Sequence, residues 1–561
     1  MKGAVLTTFS EPRPAVRTVL VGLMLAIFLG ALDQTIVAVS LPAISAGFGD
    51  FDLLAWVISG YMVAMTISMP IYGKLGDLYG RRVLMLFAIA LFTLASLLCG
   101  AAQSMEQLVI ARVLQGIGAG GMMSVSQAII GDIVPPRERG RYQGYFSSMY
   151  AVASIAGPVL GGLLTEYLSW RWVFLINLPV GLVALAVSRR SLRGLPVPGR
   201  KPVIDYLGTM LMIAGLGSLL LAITEVGQGA RWNDPQMLAL FAAALVLVAL
   251  FVVQERRAPE PLVPMHLFGI RAATLSWLIS FFASFQVISL SVLVPLRFQS
   301  VTGAGADSAA LHLLPLAMGV PIGAYCCGRL TAIIGRYKPQ IVGGGLLMPL
   351  AIAGLALTPP SAYFLSGVCM LLTGIAAGTQ FPTSLVAAQS AVETKHLGVA
   401  TSNITLFRSL GGAVGIALMS ALLLAMLQPL AGDAGHGLSA SALLASLSGD
   451  GHEAQRLALD GVFGHLFLIN AGFGALALLI ALSLPDTHCA AGATISEWRG
   501  SVLVVEVADL AQVRQQHADQ QRHAAHDRDI DVEHVLHADA LQSQRSVLGG
   551  ATEDGVTHRV G

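Results

Sequence analysis

The chain has 561 residues, of which 55% are hydrophobic and 12% charged, with a mean hydropathy of +0.72. A soluble protein of this length could not cover so much apolar surface, so the composition places the chain in a lipid bilayer. The net charge of +1 gives no footprint for nucleic-acid binding, and Cys99, Cys326, Cys327, Cys369 and Cys489 lie in or beside apolar segments without metal-site or disulfide-framework spacing.

From the N-terminus, residues 1–17 carry Lys2, Arg13 and Arg17. Fourteen apolar segments follow, each of about 20 residues, the length that crosses a ~30 Å hydrocarbon core. They fall near 18–41, 54–72, 83–102, 107–131, 142–165, 171–189, 204–224, 237–254, 273–296, 308–331, 340–358, 361–386, 398–427 and 462–484. The first, from Val19, is long enough to span and reads as part of the fold rather than as a cleaved leader. Lys74, Arg81, Arg82, Arg137, Arg139, Arg141, Arg189, Arg190, Arg256, Arg257, Arg329, Arg336 and Lys338 share a side with the N-terminus. The opposite side keeps only Arg171, Arg231, Arg297 and Arg456, and this bias predicts cytoplasmic N- and C-termini.

Span 1 contains Leu32-Asp33-Gln34-Thr35-Ile36-Val37 and ends at Leu41-Pro42; span 2 contains Trp56, Tyr61 and Pro70. Between spans 2 and 3 runs Gly73-Lys74-Leu75-Gly76-Asp77-Leu78-Tyr79-Gly80-Arg81-Arg82, a short charged turn whose glycines permit close approach and whose Asp77 sits among basic partners. Span 4 carries Leu108, Arg112, Gln115, Gly116, Gly118 and Gly120, and a guanidinium inside a span is costly. In span 5, Ala153, Gly157 and Gly161 stand four apart, a face without bulk for packing on a neighbour, with Pro158 and Gly162 beside them. Trp170-Arg171-Trp172-Val173-Phe174-Leu175-Ile176-Asn177-Leu178-Pro179 leads into span 6. Later, Gly328-Arg329-Leu330-Thr331-Ala332-Ile333-Ile334-Gly335-Arg336 repeats the stretch from Gly73 to Arg81 at glycine, basic, leucine and arginine positions, with Ala332 where the first copy has Asp77. Two related half-bundles would leave such a trace.

These stretches resemble the major facilitator superfamily of secondary transporters. The turn from Gly73 to Arg82 is similar to its signature loop between helices 2 and 3, and the span 1 motif looks like that of its fourteen-span drug:proton antiporter branch, departing at Ala38, where asparagine is common. The resemblance covers roughly residues 15–485. It implies an all-α membrane protein of the major facilitator fold, with two six-helix bundles at 18–189 and 273–484, two additional spans at 204–254 and 14 transmembrane helices in all. Residues 1–17 would be a cytoplasmic N-terminus and 485–561 a cytoplasmic tail. It further implies a gating loop of Gly73, Gly76, Asp77, Gly80, Arg81 and Arg82, an antiporter motif of Gly157, Pro158, Gly161 and Gly162, and proton coupling through Arg112. Glu225 near the end of span 7 also fits that branch.

Depth along the helices adds a physical reading. At 1.5 Å per residue, Asp33 lies about 21 Å into a ~30 Å core, and Arg112, on a span running the other way, about 8 Å below the outer surface. An acid at such depth is costly to keep ionised, which makes Asp33 a candidate proton carrier tuned by Arg112; the bland alternative is an architectural ion pair. Tyr61, Phe281, Phe285, Gln286 and Arg408 are candidates for a substrate cavity, and the span 9 cluster of Phe281, Phe282, Phe285 and Gln286 could line one for greasy or planar cationic ligands. Interfacial anchoring is the alternative for Tyr61, lipid contact or core packing for the span 9 aromatics, and snorkelling to the surface for Arg408. Residues 428–460 read as an extracytoplasmic loop. Beyond 487 the chain holds His488, His517, His523, His526, His534, His537 and His558, seven of its thirteen histidines, without a ligand framework, and reads as disordered.

The expectation is a proton-driven antiporter exporting drugs or other amphipathic small molecules across the cytoplasmic (inner) membrane. An alternative is the same fold exporting an endogenous metabolite or siderophore, and a more distant one is a membrane sensor. The absence of paired carboxylates, His-Glu-x-x-His or Gly-x-Ser-x-Gly within the spans argues against an enzyme, and the absence of a Gly-x-x-x-x-Gly-Lys-Ser/Thr loop against nucleotide use. No cofactor or metal is expected. The partners would be substrate, protons and the bilayer, with a periplasmic adaptor protein as an open partner and no nucleic acid.

Overall fold

The computed structural model describes residues 16–48, 53–195, 203–227, 230, 232–305, 311–431, 444 and 453–486. Among them are fourteen helical spans long and apolar enough to cross a bilayer. They are α1 (Val16–Phe48), α2 (Leu54–Tyr79), α3 (Arg81–Ala101), α4 (Met105–Ile133), α5 (Pro136–Tyr167), α6 (Asn177–Ser191), α7 (Tyr206–Gly227), α8 (Pro235–Arg257), α9 (Arg271–Thr302), α10 (Leu314–Ile334), α11 (Lys338–Leu357), α12 (Tyr363–Ser390), α13 (Leu397–Ala431) and α14 (Glu453–Leu482). Apolar runs of this length become helices because lipid offers no partner to an open backbone, and a helix satisfies its own N–H and C=O groups.

Several helices outrun the apolar windows, since hydropathy reports only the part in hydrocarbon. Residues 453–460, expected in a loop, are the first two turns of α14. Span 6 runs from Trp172 to Ser191: a short helical turn, Trp172–Leu175, leads into α6 through Ile176, whose backbone stays helical at φ −60° and ψ −25°. The expected tail beyond 486, residues 1–15, Arg231 and most of the expected loop 428–460 lie outside the described residues.

The packing repeats with a shift of eight helices. In the first half α1 packs on α5 and α6, α2 on α4, and α3 on α4 and α6; in the second, α9 packs on α13 and α14, α10 on α12, and α11 on α12 and α14. The close approach of α4 to α2 depends on Gly116 and Gly120, where a Cβ would strike the carbonyls of Tyr61 and Met65. Gly374 and Gly378 of α12 face the carbonyls of Leu316 and Val320 on α10 in the same way. The turns α2–α3 and α10–α11 also match: Gly80 and Gly335, equivalent in the sequence repeat, have φ of 90° and 70°, a region that only glycine enters without strain.

The additional hairpin α7–α8 sits over the seam between the halves. Met212 and Leu216 of α7 join Ile71 of α2, Trp277 of α9 and Phe407 of α13 in one apolar cluster. Ile223 and Val226 pack near Ala417 of α13 in another.

Candidate functional site

Four elements of the first half bring polar side chains to one enclosed point. Asp33 of α1, Ser96 of α3, Arg112 and Gln115 of α4 and Asn177 of α6 are all at most 1% exposed. Arg112 Nη1 donates to Asp33 Oδ2 at 2.5 Å and to Gln115 Oε1 at 2.8 Å, and its Nε donates to the carbonyl of Val57 at 3.0 Å. Asp33 Oδ1 accepts from Gln115 Nε2 at 2.8 Å and Asn177 Nδ2 at 2.9 Å. Ser96 Oγ accepts from the same two amides and donates to the carbonyl of Phe174 at 2.9 Å. The guanidinium lies 4.1 Å from the ring centroid of Tyr61 on α2. A buried charge pair is retained where its carboxylate is met by further donors, and both oxygens of Asp33 are met here, while Asn177 Oδ1 and the Tyr61 hydroxyl have no hydrogen-bond partner among the described residues.

The sequence brings Asp33 and Arg112 to the same depth, and the structure joins them. It does not open Asp33 to a cavity: the carboxylate is enclosed among α1, α3, α4 and α6. The other cavity candidates are placed as follows. Tyr61 lies under Arg112, fully buried. Phe285 is packed 4.6 Å from Phe473 of α14, and Gln286 is fully buried with its amide nitrogen on the carbonyl of Phe282. Phe281 and Arg408 stay partly exposed.

Gln115, Ser96 and Asn177 had no role assigned from the sequence. One signal could have singled out Asn177: Phe174-Leu175-Ile176-Asn177 recurs as Phe467-Leu468-Ile469-Asn470 in α14. Phe174 lies 5.7 Å from the Arg112 guanidinium and Phe467 5.5 Å from that of Arg297. Asn470 Nδ2 donates to Ser289 Oγ of α9 at 2.8 Å, a neutral counterpart of the Asn177 to Asp33 bond. Arg297 itself pairs with Asp460 at 2.8 Å and donates to the carbonyls of Leu355 and Thr358 at the end of α11.

A second cluster ties the halves together at the end of the bundle that carries Arg81. Asp77 pairs with Arg81, which also reaches Asp132 Oδ2 at 3.1 Å. The carboxylate of Asp77 accepts the backbone N–H groups of Gly398 (3.2 Å) and Val399 (3.1 Å) in the first turn of α13, where helix donors are otherwise unsatisfied. A Cβ on Gly76 would come within 2.7 Å of Arg81 Nη1, and one on Gly73 within 2.8 Å of the carbonyl of Gly398. Across the seam, Gly328 of α10 meets Gly140 and Arg141 of α5, with a Cβ placed 2.7 Å from Arg141 N. Gly73 and Gly328, equivalent in the repeat, thus each make a close inter-half contact. Arg82 is partly exposed and Lys74 stands 3.7 Å from Glu260.

In α5, a Cβ on Gly157 would strike Thr35 and one on Gly161 would lie 2.8 Å from the carbonyl of Ile36, while Thr35 Oγ1 donates to the carbonyl of Ala153 at 3.0 Å. The small face of α5 is therefore the α1 contact. Gly162 faces open space, and Pro158 is accommodated inside the helix. Among the described residues no group of three His, Cys, Asp or Glu side chains could hold a metal ion.

The chain is similar in sequence and in fold to known proteins. The chain is 37% identical over 418 residues to multidrug transporter protein MdtP of Bacillus subtilis, covering 74% of this chain and 76% of that protein. It is 33% identical over 442 residues to multidrug resistance protein 3 of the same organism, covering 78% and 85%. In fold it resembles the human organic anion transporter MFSD10, with a TM-score of 0.57 and 16% identity over 83% of this chain and 100% of that one. The proton:xylose symporter XylE gives a TM-score of 0.56 at 15% identity, over 84% and 97%. The family model for the Major Facilitator Superfamily matches residues 23–416, and the chain belongs to that family.

Proposed function

We propose that this protein is a proton-driven antiporter that exports drugs or other amphipathic small molecules across the cytoplasmic membrane, with the Arg81 end and both termini on the cytoplasmic side. The observation that carries the reading is the enclosed Asp33–Arg112 pair: a carboxylate at this depth, held by Arg112, Gln115 and Asn177, is a site whose proton occupancy can be linked to the packing of α1, α4 and α6. In the proposed cycle, protonation of Asp33 releases Arg112 and loosens the contacts of α1. Opening of the cytoplasmic end separates Gly73 from Gly398 and Gly328 from Gly140, and Asp77 leaves the first turn of α13. A membrane potential of about 100 mV contributes ~2.3 kcal/mol per charge moved, so the gradient suffices without nucleotide. Glycines Gly157 and Gly161 and Pro158 keep α5 against α1 through this movement. The identities of the two bacterial relatives support the export of drugs. A periplasmic adaptor protein is an additional partner compatible with the opposite end. The test is proton release from energised vesicles on adding candidate compounds: release that requires the protein supports antiport, and export without proton movement opposes it.

A further inference from the structure

We propose that Arg408 forms an anion-binding site in the crevice between the halves, and that the exported molecule carries a carboxylate beside an apolar or aromatic body. This rests on the export reading and narrows its substrate class. From Leu397, where α13 begins, to Arg408 the helix rises about 16 Å, which puts the side chain near the middle of a ~30 Å core. Snorkelling from there would need to bridge more than a side chain's length. The guanidinium lies 5.4 Å from the ring centroid of Phe381 on α12, and its own helix, α13, packs on α2 and α4 of the first half, so it stands on the helix that joins the two halves.

Among the described residues, Arg408 has neither an ion-pair nor a hydrogen-bond partner, and it stays partly exposed. The other arginines held deep in the bundles are closed: Arg112 by Asp33, Gln115 and Val57, and Arg297 by Asp460, Leu355 and Thr358. Nor can Asp33 serve Arg408, because both of its oxygens are already taken by Arg112, Gln115 and Asn177. The remaining described carboxylates lie within two turns of a helix end or outside the helices. At mid-depth the described residues therefore present an uncompensated cation and no free acid. A guanidinium offers five donors in a fork that matches a carboxylate, and an unpaired one in this environment is unfavourable until an anion arrives. Phe381 beside it supplies an apolar face for the body of the same ligand. Such a site thus favours an anionic ligand over the planar cation that the span 9 aromatics suggest.

The test uses purified protein in nanodiscs and three fluorescent probes of one size: a coumarin carboxylate, its ethyl ester, and a coumarin bearing a quaternary ammonium. Wild type should bind the carboxylate at least about tenfold more tightly than the ester, the scale of one charge-assisted contact. That ratio should fall toward one in Arg408→Gln and be largely kept in Arg408→Lys, whose retained charge also controls for folding. An unchanged ratio in Arg408→Gln, a preference for the ammonium probe, or saturation by chloride that excludes the carboxylate overturns the proposal. Flux in proteoliposomes separates it from the export reading. Carboxylate binding without flux of any probe opposes export and leaves the anion site standing, whereas flux of the ammonium probe alone opposes the anion site and leaves export standing.

Discussion

Asn177 donates to Asp33 Oδ1 at 2.9 Å from the first residue of α6. Its amide thus reaches, from the start of α6, the same oxygen that Gln115 holds from α4. Replacing Asn177 by Ala should leave the carboxylate one donor short and lower stability by about 1–3 kcal/mol, read as a lower unfolding midpoint in detergent. Asn177→Asp, which sets a second carboxylate beside the first, should be worse than Asn177→Ala. Equal stability of all three proteins would mean that Asn177 is not coupled to Asp33.

Removing one partner of a buried pair strands the other. Arg112→Gln should therefore destabilise the protein by about 3–5 kcal/mol, and the double variant Asp33→Asn/Arg112→Gln should recover part of that loss. Thermal unfolding of the four proteins completes the cycle, and strict additivity would contradict the pairing.

Gly328 permits the backbone contact between α10 and α5, with no room for a side chain against Arg141 N. Gly328→Leu should hold this end of the bundle apart. Spin labels at positions 141 and 329, both exposed, should report a longer distance in the variant than in wild type, and transport should fall by about tenfold or more. An unchanged distance distribution would show that the contact does not close the seam.

Orientation is testable by cysteine accessibility in a cysteine-free background. Substitutions at Tyr79, Arg193 and Pro339 should react only with a permeant reagent in intact cells, and one at Ala46 should react with an impermeant reagent; all four positions are exposed. The reverse pattern would invert the topology.

The fourteen spans were legible because hydrocarbon thickness sets a length that composition reveals, and the pairing of Asp33 with Arg112 because helix rise converts residue number into depth. What hydropathy cannot supply is rotation about the helix axis. Tyr61 could point to a cavity or an interface, and it turned instead beneath Arg112. Gln115, Ser96 and Asn177 carry short polar groups common in membrane helices, and only the crossing of α3, α4 and α6 gives them a shared target. The inter-half contact of Gly328 was half visible in its repeat of Gly73, but Gly140 opposite it has no sequence signal of its own. The end of the expected loop became helix at Glu453 because an amphipathic turn can extend beyond the bilayer.

The most direct measurement is drug uptake into inverted vesicles driven by an imposed pH gradient, comparing wild type with Asp33→Asn at equal amounts of folded protein. The amide keeps the shape and gives up the ionisable proton, so gradient-driven uptake should drop to background while substrate binding is retained. Full gradient-driven uptake by Asp33→Asn would contradict the assignment of Asp33 as the proton carrier and move that role to Asp77 or Glu225.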